Sequence, residues 1–120
     1  MQASLYAKYG GFSKIHNLIE NFYEKILLSE NLGVYFLNVD MEPMIKHQTS
    51  FVSSLMGGPA SFNDEQLKLV HHSLNITQNE WEEVIVILVQ VLNDFGVEKA
   101  DSDSLIRKLE DKKGLFICPQ

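Results

Sequence analysis

Apolar residues along the chain recur at helical intervals, and glycines separate the stretches in which they do so: Gly10-Gly11, Gly33, Gly57-Gly58-Pro59, Gly96 and Gly114. Residues 4–9 predict a short helix that stops at the first glycine pair. A second helix is expected from Ser13 as its cap. Its stripe of Ile15, Leu18, Ile19, Phe22, Tyr23, Ile26 and Leu27 follows the i, i+3, i+4, i+7 spacing of one buried face. Residues 41–56 predict a helix after Asp40, with Pro43 tolerated in the first turn. Residues 64–74 predict a shorter one, with Asn63 and Gln66 at capping-box spacing.

The clearest helix start is at Thr77. Glu80 lies three residues on, and Ile76 and Trp81 flank the pair as a hydrophobic staple. This decides the nature of the run from Val84 to Val89, whose β-branched residues would also suit a central strand. The cap and the stripe Trp81, Val84, Ile85, Leu88, Val91, Leu92 and Phe95 favour a helix buried on most sides, and no second strand candidate exists to pair with the run. A last helix is expected over 101–113, capped by Asp101 or Ser102. The pattern predicts one all-α domain over residues 1–120.

Composition narrows the function. The formal net charge is −6, and the basic cluster of Arg107, Lys108, Lys112 and Lys113 is interrupted by Glu110 and Asp111, which argues against nucleic acid as a partner. The single cysteine, Cys118, excludes an internal disulfide and multi-cysteine metal sites, and a reducing, cytoplasmic location is the expectation. No charged segment precedes an apolar run at the start, and no apolar run is long enough to span a bilayer, so no membrane partner is expected. A monomer is the default for an acidic chain without a large exposed apolar stripe.

Polar residues placed on apolar faces are the candidates for chemistry. His71 lies four residues after Leu67 and three before Leu74, on their face and beside Val70, whereas His72 points away toward Lys68. Such an imidazole is either a hydrogen-bonded core residue or a metal ligand through its neutral form. His47 and Gln48 stand between Met44 and Phe51, where an unbroken stripe would carry Leu or Val. They need partners there unless the helix end is frayed and wet. Tyr23 sits in the second helix's stripe, where a tyrosine commonly packs its ring and sends its hydroxyl to the surface. Together these residues suggest an apolar slot walled by Phe36, Met44, Phe51, Val70 and Leu74. An imidazole would stand on one side, with hydrogen-bonding groups on the other, an arrangement suited to heme.

The ordered set of Leu5-Tyr6 to Gly10-Gly11, Asn21-Phe22-Tyr23, Tyr35-Phe36, Val39-Asp40-Met41, His47-Gln48, Leu55 to Gly57-Gly58-Pro59, Val70-His71 to Ile76-Thr77 and Phe95-Gly96-Val97 resembles the truncated hemoglobins of group I. The resemblance covers residues 4 to 97. It implies a two-over-two helical sandwich enclosing heme b, with His71 as the proximal iron ligand. It also implies Tyr23 and Gln48 as distal hydrogen-bonding residues and Phe36 packed on the heme face. His47 falls where some members carry a histidine that closes on the iron as a sixth ligand. The same histidine at the pocket edge could instead meet a heme propionate.

The sequence departs from the pattern in three ways. Met44 replaces a frequent distal Gln or Leu, and Phe62 replaces a frequent tyrosine near the heme edge. The absence of any histidine after His72 removes the covalent heme linkage of some cyanobacterial members. Trp81, in the cap of its helix, does not match the pocket tryptophan of the other truncated-globin groups. The resemblance implies binding of oxygen, nitric oxide or carbon monoxide. It leaves open a nitric oxide dioxygenase activity, which would need a separate reductase because the chain has no flavin or nicotinamide motif. The reading from another class is a heme-free helical interaction module, which would not need the cluster of His71, His47, Gln48 and Tyr23.

Overall fold

The computed structural model describes residues 4–58 and 76–113, and every element among them is helical. In chain order these are α1 (Leu5–Lys8), α2 (Gly11–Leu28), a 3-10 turn (Gly33–Phe36), α3 (Met41–Leu55), α4 (Gln78–Asp94) and α5 (Lys99–Asp111). The expected helix over 64–74, with His71, His72, Val70, Leu74 and Phe62, lies outside the described residues, as does Cys118.

Helix α2 is the centre of the packing. Its face of Ile15, Leu18, Ile19, Phe22, Tyr23 and Ile26 is buried as the stripe predicts, while Leu27 turns outward. It packs most extensively on α3 and then on α4, and α5 in turn packs on α4 and α3. Two helix pairs, α2 with α3 and α4 with α5, therefore lie one over the other. Their shared core includes Phe51, Val52, Leu88, Val91, Leu92 and Leu105.

Local capping explains some helix starts. Ser4 accepts from the Ala7 amide to begin α1, and Asp40 accepts from the Glu42 amide to begin α3. At α4 both halves of the capping box form: the Glu80 amide donates to Thr77 Oγ1 at 3.2 Å, and the Thr77 amide donates to Glu80 Oε1 at 3.0 Å. Ile76 and Trp81, the predicted staple, are both buried.

Two starts differ from the expectation. Helix α2 begins at Gly11 rather than after Ser13, because Gly10 (φ 100°) and Gly11 (φ 78°) take left-handed conformations that turn the chain straight from α1 into α2. Helix α5 begins at Lys99, two residues before the expected caps Asp101 and Ser102, and Glu98 at its N-cap makes no side-chain cap bond. Tyr9, which follows α1, ties down this end: its hydroxyl accepts from the Glu98 amide at 3.1 Å and donates to Asp101 at 2.5 Å. Lys8 adds contacts to Asp101 at 2.7 Å and to Glu98 at 3.3 Å.

One further correction concerns α4. It is buried along one face, not on most sides, and Val86, Val89 and Phe95 are exposed. The β-branched run places apolar residues all round the helix, but its buried residues Trp81, Leu88, Val91 and Leu92 lie on one face.

The Lys8–Asp101 contact gives a pH dependence. The bonds from Lys8 and Tyr9 hold the Asp101 carboxyl below its ordinary value of 3.8. A carboxyl depressed in the folded state contributes stability that is present above its unfolded pKa and is lost as pH falls through the folded pKa. Asp101→Asn is therefore expected to melt at a lower temperature than the parent at neutral pH. The two melting curves should converge as the pH drops below about 4. Parallel thermal melts from neutral to acid pH check this, and a constant gap would show that the carboxylate charge is not what binds α1 to α5.

Candidate functional site

Between α2, the 3-10 turn, α3 and α4 lies a cavity, part of it open to solvent. Its walls are almost wholly apolar. Helix α2 contributes Ile19, Phe22, Tyr23 and Ile26; the turn contributes Leu32, Tyr35 and Phe36; and α3 contributes Gln48, Phe51 and Val52. Ile76, Trp81, Val84, Ile85, Leu88 and Leu109 close the opposite side.

Helical spacing produces this lining. Tyr23 lies one turn from Ile19 and Ile26 on α2, and Gln48 lies three and four residues from Phe51 and Val52 on α3. The close packing of α2 on α3 then brings the two polar residues together. The Tyr23 hydroxyl and the Gln48 side chain are hydrogen-bonded, and burial pushes the phenol well above its ordinary pKa, so it stays protonated and able to donate. The ring is fixed by edge-on contacts with Phe22 (centroids 5.0 Å apart) and Phe36 (5.6 Å). The Tyr23 hydroxyl thus stays inside the fold instead of reaching the surface, and Gln48, 8% exposed, is buried with it.

Of the residues expected from sequence, Tyr23, Phe36, Gln48 and Phe51 all line the cavity. Met44 does not. It stands one turn before Gln48, half-buried, and its sulfur accepts a long contact of 4.0 Å from Gln48 Nε2, so it orients the glutamine from behind. His47 is likewise half-buried and off the cavity lining, with Nε2 inside the protein. Burial lowers its pKa, which favours the neutral imidazole. The place of His71, Val70 and Leu74 falls in the part of the chain not described.

Sequence reasoning missed the contribution of α4. Trp81 was expected as a staple residue and as the start of the helix's apolar stripe but not as part of the pocket, yet it lines the cavity, and its indole N–H donates to Glu110 at 3.2 Å. Val84 and Ile85 stood in the predicted stripe and are only half-buried. The cavity they border accounts for this, since a residue facing an open space has no neighbour on that side. Tyr35 was also missed. Its hydroxyl donates to Glu80 at 2.6 Å, and this bond, with burial, pushes its pKa up to about 12.

A stack of paired helices around a flat apolar slot, with one hydrogen-bonding pair inside it, is the architecture of a small globin. The sequence model of the bacterial-like globin family matches residues 4–116. A group 1 truncated hemoglobin from Tetrahymena thermophila is 30% identical over 105 residues, which cover 88% of this chain and 84% of the relative. The crystal structure of truncated hemoglobin from Tetrahymena pyriformis in the Fe(III) form superimposes with a TM-score of 0.86 at 26% identity, covering 98% of this chain and 100% of the other. The 2/2 hemoglobin of a Synechococcus species, in the cyanomet state with covalently attached heme, gives a TM-score of 0.80 at 28% identity over 88% of this chain and 89% of that one. The chain belongs to the bacterial-like globin family and is a truncated hemoglobin with the two-over-two fold, a family that implies heme-based ligand binding.

Proposed function

We propose that this protein binds oxygen and other diatomic ligands, nitric oxide and carbon monoxide among them, at a heme b held by His71. The observation that carries the reading is the buried Tyr23–Gln48 pair set into an otherwise apolar cavity. The residues present fit the group. A porphyrin needs flat apolar walls, which Phe36, Phe51, Val52, Ile85 and Leu88 supply, and a diatomic ligand needs a donor that has no other route to water. When bound, heme iron supplies the coordination site for the ligand and the one electron consumed when oxygen and nitric oxide combine to nitrate, so that second activity would require a separate reductase. Tyr23 would donate to the ligand, Gln48 would hold the tyrosine in place, and Met44 would hold the glutamine. A heme-free interaction module has no use for a buried tyrosine hydrogen-bonded to a glutamine in the wall of an apolar cavity. The monomer remains our proposal for the oligomeric state.

The absorption spectrum of the purified protein tests the reading. An intense band at the blue edge of the visible, shifted by carbon monoxide after reduction, is expected. A colourless protein that takes up no hemin would end the proposal.

We extend it to His47 as the sixth ligand when no exogenous ligand is present. Its support is the sequence position beside Gln48 and a burial that favours the neutral, ligating imidazole. Because His47 is off the cavity lining in the structure, ligation requires a change of its side-chain conformation. The ligand-free protein is expected to be low-spin in both oxidation states. His47→Ala is expected to be five-coordinate when ferrous and to bind carbon monoxide faster, because the open fraction no longer limits affinity. A high-spin ferrous parent would place His47 at the heme edge instead.

A further inference from the structure

Residues 29–36 supply one wall of the cavity. Leu32, Tyr35 and Phe36 face inward, while Val34 and Leu37 on the outer side are exposed, so a single layer of chain separates the cavity from solvent there. The segment's backbone bonds include the Ser29 amide to the Ile26 carbonyl at 3.1 Å, the Gly33 amide to the Ser29 carbonyl at 2.9 Å, the Tyr35 amide to the Leu32 carbonyl at 3.1 Å and the Val39 amide to the Phe36 carbonyl at 3.2 Å, and the Leu32 amide donates to Ser29 Oγ at 3.2 Å. It also lies hard against α2, since a Cβ on Gly33 would come within 2.7 Å of the Leu27 carbonyl oxygen.

What ties this wall to the opposite side of the cavity is a pair of glutamates spaced i, i+3 on α4. Glu83 accepts from Ser29 Oγ and, at 3.3 Å, from Asn31 Nδ2, which holds the start of the segment. Glu80 accepts from the Tyr35 hydroxyl at 2.6 Å, which holds its end. The same Glu80 oxygen accepts from the Thr77 amide, so one atom joins the wall to the start of the helix that carries Trp81, Val84 and Ile85. Burial raises the Glu80 pKa, but the bonds from Tyr35 and Thr77 outweigh it and leave the carboxyl below its ordinary value, so it is ionised and a strong acceptor.

We propose that Glu80 and Glu83 are positioning residues that latch the wall of residues 29–36 across the cavity and so set the rate at which small ligands enter and leave. This role rests on the cavity being the ligand pocket. It differs from that of Tyr23, which acts on the ligand already inside. Tyr35 is the informative partner, because Tyr35→Phe removes the latch while keeping the ring in the wall and the capping box of α4 intact.

The test uses the heme-loaded full chain and two readouts. Hydrogen exchange at the amides of Leu32, Gly33 and Tyr35 reports opening of the wall. Carbon monoxide rebinding after flash photolysis reports passage. Tyr35→Phe and Glu80→Ala should each speed wall exchange by about tenfold, the factor that ~1.4 kcal/mol represents, and should speed carbon monoxide association. The double variant should add little to either. Glu83→Ala should act in the same direction through Ser29 and Asn31. Glu80→Gln should restore most of the latch, because its amide oxygen can accept both bonds. Thr77→Ala should leave both readouts at parental values although it weakens the helix start.

Wall exchange unchanged in Tyr35→Phe overturns the latch, whether or not the protein is red. Faster exchange with unchanged association overturns the control of passage. A chain without heme would sink the proposed function separately, and the exchange measurement would still decide the latch.

Discussion

Tyr23→Phe is expected to release oxygen about tenfold to a hundredfold faster than the parent. Oxygen held in this cavity draws negative charge toward its outer atom, and a donor aimed at it acts where water cannot compete. A hydrogen bond to a charged acceptor contributes roughly 1.5–3 kcal/mol, and each ~1.4 kcal/mol is a factor of ten. Tyr23 meets the conditions for the upper part of that range. It is buried, its phenol stays protonated because burial raises its pKa, and its ring is braced by Phe22 and Phe36. Removing the hydroxyl leaves the ring contacts in place, so the fold is expected to survive the change. Stopped-flow displacement of oxygen by carbon monoxide reads the rate. A rate equal to that of the parent would take Tyr23 out of the site and leave its bond to Gln48 as a purely structural one.

The second large effect is expected at His71. His71→Gly should bind heme weakly, and added imidazole should restore much of the parental spectrum by filling the gap with the same donor. Changing only the partners of a metal ligand commonly costs about 10–100-fold in metal affinity, so removing the ligand itself should cost at least that much. The side chain to compare is His72, one residue on, which helical spacing in the sequence would turn toward Lys68. His72→Ala should leave the spectrum nearly unchanged. Retention of the parental spectrum in His71→Gly would move the iron ligand elsewhere, and His47 would be the next candidate to examine by the same substitution.

These two expectations differ in origin. Gln48 was legible because it interrupts an apolar stripe at a position where a buried polar group requires a partner, whereas Tyr23 read as an ordinary stripe residue and was marked out only by the family resemblance. The sequence could not show that they are each other's partner, since Tyr23 and Gln48 belong to different helices and meet only where α2 packs on α3. Met44 looked like a lost polar contact and proves to support Gln48 through its sulfur, a weak acceptor that a hydrophobic pattern does not register. The half-buried Val84 and Ile85 read as ordinary core because periodicity records which face is apolar, not whether that face meets another side chain or an open slot.

The sequence by itself determined the all-helical class, the stripe of α2, and the starts of α3 and α4. Those depend on residues within one turn of each other. Asp40 finds the Glu42 amide, and Thr77 and Glu80 find each other, wherever the rest of the chain goes. Only the tertiary structure decided the start of α5, where the amide of its N-cap residue Glu98 is bonded by Tyr9, some ninety residues earlier. It also decided the inward place of Tyr35 and the cavity itself. The bond from Tyr35 to Glu80 spans 45 positions, and no local preference encodes a contact between groups that are brought together only by the packing of whole helices.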